Sequence, residues 1–154
     1  MRKKICLLSS CGGHFMELMQ LLPAMQGHDF YIVTEKNVAS ENTLKNFRHY
    51  LLVQQERKNI SFLFKFAYNI FASLYYLLRE NPQIIITTGA GASYPTCRFG
   101  KWLGKKIIYV ESFAKLTNSS MTGRKVYPFA DYFFVQWEEM KKVYPKAQYC
   151  GTVY

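Results

Sequence analysis

The chain has 154 residues, 49% of them apolar and 17% aromatic, enough to bury one core and incompatible with a disordered or low-complexity chain. Lys plus Arg is 20 against 10 for Asp plus Glu, and the formal charge of +10 predicts an anionic partner: nucleic acid, an acidic membrane face or a phosphorylated small molecule. Cys6, Cys11, Cys97 and Cys150 form no CxxC pair, and His14, His28 and His49 do not gather with them, so their spacing argues against a zinc site and no metal is expected.

Behind the basic start, the apolar run Ile5–Leu8 is too short for a signal-peptide core, which reads as a cytosolic chain with reduced thiols. That run is a first strand, stopped by Ser9, Ser10, Gly12 and Gly13. Phe15, Leu18, Leu21 and Leu22 then recur at helical spacing, with Pro23 near the end. Phe30–Thr34 is a second strand, Ser40–Phe47 a weak helix and Tyr50–Val53 a third strand. Ile60–Arg79 is a long helix ended by Asn81-Pro82. The β-branched strand Ile84–Thr88 runs into Gly89-Ala90-Gly91, and Tyr94–Leu103 resumes as helix. Ile107–Val110 is a strand, followed by an irregular stretch from Glu111 to Thr122. Tyr132–Val135 is a strand, Glu138–Val143 a helix and Ala147–Cys150 a last short strand. Apolar strands separated by helices predict one α/β domain over residues 1–154, a doubly wound parallel sheet of six or seven strands.

Ligands of such sheets bind beyond the strand C-termini, where two glycine turns fall. Ser10, Gly12 and Gly13 make the first; Gly89, Gly91 and Ser93 make the second. Each turn either ends its strand tightly or brings backbone N–H groups to a phosphate. Neither fits GxGxxG or GxxxxGK[ST]. His14 opens the first helix and is a candidate general base or hydrogen-bond donor. Glu111 follows its strand into the same crevice, with Ser112, Thr117, Asn118 and Gly123 along the loop. The helix Ile60–Arg79 carries a thin polar stripe, Ser61, Lys65, Asn69, Ser73 and Tyr76, and is otherwise almost wholly apolar. It is either a core helix or a face that meets a membrane or partner, with Arg57, Lys58, Phe62, Lys65, Phe66 and Ile70 as the membrane-facing set. Phe134, Trp137, Tyr144 and Tyr149 are either interface anchors or the closure of the last unit's core.

The segment Ser9–Leu18, SSCGGHFMEL, resembles the SGGHxxEL opening of the acceptor-side subunit of two-chain N-acetylglucosaminyltransferases. The bacterial relatives of that family are the PssD and CpsF proteins of capsular and exopolysaccharide synthesis. Thr88-Gly89-Ala90-Gly91 through Pro95 resembles the family's second glycine loop. Tyr109–Ser112 resembles its YVES block, and Ala130-Asp131, Phe134–Trp137, Tyr144-Pro145 and Gly151 resemble its closing ADxFxVQW…YPxAxYxG pattern. The resemblance implies a Rossmann-like domain, the N-terminal half of a GT-B glycosyltransferase as in MurG.

It implies a membrane-associated subunit that binds a polyprenyl-diphosphate-linked sugar acceptor. A separate catalytic subunit would bind the UDP-sugar, with no cofactor needed here. The turn residues would hold the acceptor diphosphate, His14 would be the base, and Glu111 would contact the acceptor sugar or shape the cleft. Such a chain would be inactive without its partner and peripheral on the inner face of the cell membrane. Eukaryotic members carry an N-terminal membrane helix; here the expectation shifts to Ile60–Arg79. A non-catalytic scaffold that recruits the catalytic subunit is the alternative. No RRM, KH or helix-turn-helix pattern supports a nucleic-acid partner.

Overall fold

The computed structural model describes residues 1–54, 61–89 and 93–154. Its strands are β1 (Lys4–Ser9), β2 (Asp29–Glu35), β3 (His49–Leu52), β4 (Ile84–Gly89), β5 (Lys106–Val110), β6 (Tyr132–Val135) and β7 (Gln148–Tyr149). Its helices are α1 (Gly13–Gln20), α2 (Val38–Leu44), α3 (Ser61–Glu80), α4 (Ser93–Trp102) and α5 (Met121–Val126). The strands pair in parallel in the order β3-β2-β1-β4-β5-β6-β7. The order reverses between β1 and β4, which pair side by side from Ile5↔Ile84 to Ser9↔Gly89. Both glycine turns therefore leave the sheet at adjacent strand ends, the usual place for a ligand crevice.

Continuous apolar runs form these strands because both faces are covered. Cys6, Leu8, Tyr31, Val33, Ile85 and Tyr109 share one core with Leu77, Cys97 and Val126 of α3, α4 and α5. Ile5, Leu7, Ile32 and Ile86 meet Phe15, Leu18 and Leu44 of α1 and α2 on the other. Burial pushes the Cys6 thiol up to about 12, so this cysteine acts as a small hydrophobe.

Four elements differ from the sequence expectation. The helix α5 begins in the last two residues of the stretch read as irregular and continues to Val126, started by the Ser120 hydroxyl accepting from the Gly123 N–H at 2.8 Å. Glu138–Lys142 is a 3-10 helix, too short to settle into α geometry, and another, Leu22–Met25, follows α1. α2 begins at Val38 and ends at Leu44 rather than spanning Ser40–Phe47.

The helix α3 has one buried and one exposed side. Its polar residues Asn69 and Ser73 are buried at 1% and 2% exposure. The Asn69 amide donates to the Val53 carbonyl at 2.7 Å and accepts the Val53 N–H at 2.9 Å, completing the end of β3. A buried amide with both groups paired is stable inside, so the side of the helix that carries Asn69 and Ser73 faces the sheet. The opposite side, with Phe64, Tyr68, Phe71, Tyr75 and Leu78 at helical spacing, lies in the open, Phe64 at 78% exposure and Phe71 at 71%. The predicted set is corrected accordingly: Phe62, Lys65, Phe66 and Ile70 are only half-buried flank residues. Lys65 lines a cleft of 580 Å³ beyond β2 and β3 together with Lys36, Asn37 and Glu41. Phe66 and Ile70 pack toward Tyr94, Arg98 and Trp102 of α4 across a shallow trough. Arg57 and Lys58 lie outside the described residues. No helix among the described residues is long and apolar enough to cross a membrane.

Candidate functional site

At the end of β1, Gly12 turns the chain with φ of 76° and α1 starts at once, with no side chain capping it. Among the described residues no side chain takes its first N–H groups, and the helix dipole adds positive potential there. At the end of β4, Gly89 adopts φ of 104°, a conformation that favours glycine, and a Cβ there would come within 2.7 Å of the Tyr109 hydroxyl.

His14 joins the two turns. Its Nδ1 lies 2.8 Å from the Thr88 carbonyl, and the Thr88 hydroxyl donates to the His14 carbonyl at 2.6 Å. A carbonyl has no proton to give, so Nδ1 carries the hydrogen and Nε2 of the neutral ring is the acceptor. The half-buried ring is therefore oriented by the sheet with its basic nitrogen free of that bond. Next to it, the Cys11 thiol lies 3.5 Å from Glu35 Oε2; burial and the Glu35 charge push it up, which keeps it a thiol.

The remaining predicted residues divide sharply. Gly12 and Gly13 are exposed at the uncapped terminus, and Thr117 and Asn118 are exposed on the loop after β5. Ser10 is 8% exposed and donates to the Cys11 carbonyl at 3.3 Å. Ser93 is fully buried, and its hydroxyl closes on the Gly89 carbonyl at 2.8 Å, so it ties the second turn rather than facing a ligand. Gly91 lies outside the described residues.

Glu111 is corrected most. It does not open into the crevice but is 1% exposed. Its Oε2 accepts from the Ser120 hydroxyl at 3.0 Å, the Ser120 N–H at 3.2 Å and the Tyr144 hydroxyl at 2.7 Å. Its Oε1 accepts the Ser112 N–H at 3.0 Å. Burial and the neighbouring Glu111 push the Tyr144 hydroxyl up, so Tyr144 stays a donor. This buried carboxylate accepts four hydrogen bonds from Ser112, Ser120 and Tyr144 and so organises the loop. Gly123, expected along the loop, is buried against this hub. Ser112 is spent on Glu17, to which its hydroxyl donates at 3.1 Å.

Glu17 was missed as a part of the site. Glu17 stands three residues after His14, on the same face of α1, and that spacing was the available signal. Of the four aromatics left open between interface and core, Tyr144 closes the core at 2% exposure and Tyr149 is exposed at 44%. Trp137 and Phe134 are half-buried. Among the described residues no three His, Cys, Asp or Glu side chains gather to hold a metal.

A parallel sheet ordered 3-2-1-4-5-6-7, with an uncapped helix start and an oriented histidine at its switch point, defines a Rossmann-like domain of the GT-B N-terminal kind. The chain belongs to the family described as oligosaccharide biosynthesis protein Alg14 like, whose model matches residues 5–153. Among its relatives is the rat UDP-N-acetylglucosamine transferase subunit ALG14, 27% identical over 97% of this chain and 82% of that protein. The Schizosaccharomyces pombe subunit of the same name is 29% identical over 99% of this chain and 84% of its own length. In fold, the chain superposes on Acinetobacter baumannii MurG with a TM-score of 0.77 at 16% identity, covering 97% of this chain and 45% of MurG. It superposes on Rickettsia bellii UDP-N-acetylglucosamine 2-epimerase with a TM-score of 0.74 at 9% identity, covering 99% of this chain and 46% of that one. The chain thus spans just under half of each of these two structures.

Proposed function

We propose that this chain is the acceptor-binding subunit of a two-chain glycosyltransferase, moving a sugar from a UDP-sugar to a polyprenyl-diphosphate-linked acceptor. The observation that carries the reading is the His14–Thr88 clasp, which sets an imidazole acceptor nitrogen beside the uncapped start of α1. Backbone N–H groups there suit a diphosphate and need no metal. Nε2 suits the removal of a proton from an acceptor hydroxyl as it attacks the sugar carbon, with the UDP leaving toward the partner. The UDP-sugar would sit on a catalytic subunit facing the strand C-termini. The names of the relatives favour UDP-GlcNAc as donor. The product we infer, from the resemblance to PssD and CpsF, is a capsular or exopolysaccharide repeat unit built at the inner face of the cell membrane. The test incubates the purified chain with UDP-GlcNAc and a prenyl-diphosphate-linked sugar, alone and with its catalytic subunit. Product is expected only from the pair, and turnover by this chain alone would overturn the subunit reading.

The exposed stripe of α3 is the membrane-facing surface in this reading. Phe64, Phe71 and Leu78 head it, and Trp102 and Leu103 at the end of α4 are exposed as well. Burying one such aromatic in lipid contributes about 1.5–3 kcal/mol. Each cation near an anionic surface adds about 1 kcal/mol, screened over roughly 8–10 Å at physiological salt. Flotation with anionic liposomes should therefore recover the protein, with partial loss in high salt. The double change Phe64→Ser with Phe71→Ser should lower partitioning at least ~10-fold. Unchanged flotation of that variant would remove the stripe from the docking surface.

A further inference from the structure

Glu17 is only 3% exposed, yet it is a carboxylic acid with one oxygen unpaired. Oε1 accepts the Ser112 hydroxyl at 3.1 Å and the Phe113 N–H at 2.9 Å, whereas the buried Oε2 has no partner among the described residues. The Phe113 carbonyl accepts the Trp137 indole N–H at 2.6 Å, and its ring packs against Trp137 and Tyr154 at 4.8 and 5.4 Å. Both backbone polar groups of Phe113 are thus held, one from α1 and one from the segment after β6. Beyond it the loop runs exposed through Leu116, Thr117 and Asn118. Among the described residues, the hydrogen bonds from α1 to the loop are those of Glu17 alone. Since Glu17 lies one turn from His14, this side chain ties the loop to the helix that carries the imidazole.

We propose that Glu17 is a positioning residue: its carboxyl tie to Ser112 and Phe113 holds the loop 112–118 at the distance from His14 at which an acceptor fits between them. The inference rests on the acceptor-binding reading above. A side chain needed only to fill this space would be apolar, because a buried polar oxygen without a partner destabilises the fold. Burial also pushes the Glu17 carboxyl above its ordinary range, against the pull of the Phe113 and Ser112 donors. The group is thus kept despite an adverse environment, as groups serving a site commonly are.

The experiment compares the full chain with Glu17→Gln, Glu17→Ala, Ser112→Ala and His14→Ala, using farnesyl-diphosphate-linked GlcNAc as the acceptor probe. Hydrogen exchange reads the loop, and titration calorimetry reads the affinity. Glu17→Gln keeps the accepting oxygen and should leave both within about threefold of the parent. Glu17→Ala should speed exchange at Phe113 and Ala114 by about tenfold or more, leave β1 and β4 protected, and weaken the probe about tenfold. Should Glu17→Ala fail to fold, Ser112→Ala, which removes one of the two bonds, should show the same pattern at roughly threefold. Normal probe affinity in Glu17→Ala, or in Ser112→Ala if that must stand in, overturns the positioning role when His14→Ala has weakened binding. If the parent does not bind the probe, or His14→Ala binds it as the parent does, the acceptor reading itself falls and takes this inference with it.

Discussion

Gly123→Ala is expected to destabilise the fold by about 3 kcal/mol, a large effect for one methyl group. A Cβ at this position would overlap Glu111 Oε2 and come within 2.6 Å of the Tyr144 hydroxyl and 2.8 Å of the Ser120 hydroxyl. None of these atoms is the loose end of a side chain. The Glu111 carboxylate is held by Ser112, Ser120 and Tyr144, and Ser120 caps α5 through Gly123 itself. Making room for the methyl breaks at least one bond inside a buried polar hub and leaves its partner unsatisfied. Urea titration should show the loss, and the melting temperature should fall by roughly 6–12 °C in a chain of this size. A loss below about 0.5 kcal/mol, the ordinary level of a surface change, would mean that the hub shifts freely and that Glu111 is not fixed as described.

His14→Asn is expected to separate the two roles of the histidine. The asparagine amide can occupy the place of Nδ1 and still donate to the Thr88 carbonyl, so the clasp between α1 and β4 survives. It carries nothing in place of Nε2. With the catalytic subunit present, kcat should fall about 10²–10⁴-fold while KM for the acceptor moves little. His14→Ala should lose the clasp too and raise KM as well. Full activity in His14→Asn would leave the imidazole with no chemical role and favour a scaffold.

The strands and both glycine turns were legible in the sequence because an apolar, β-branched run ending in glycine has few alternatives in a parallel sheet. Ile84–Gly89 is the clearest case. The outward face of α3 was not legible. A helix apolar nearly all round gives its periodicity no side to prefer, and the decisive contact, Asn69 with the backbone of Val53, joins residues 16 apart. The role of Glu111 was hidden for the same reason. Its position after β5 points at the crevice, but Ser120 and Tyr144, 9 and 33 residues further along the chain, turn its carboxylate inward. α5 was obscured by the glycine within it, which reads as a breaker until Ser120 is seen to cap the turn.

One element of the fold combines two tasks. α3 returns the chain from β3 at the sheet edge to β4 at its centre, and the same helix presents Phe64, Phe71 and Leu78 outward. Its twenty residues make a rod about 30 Å long whose far end leads through Asn81-Pro82 directly into β4, the strand that ends at the second glycine turn. Laid on a bilayer, the rod would set the tilt of the whole sheet, and with it the height and bearing of the crevice above the headgroups. If His14 serves an acceptor as proposed, its reach toward a lipid-borne sugar would then be a matter of leverage, dictated by where one helix rests.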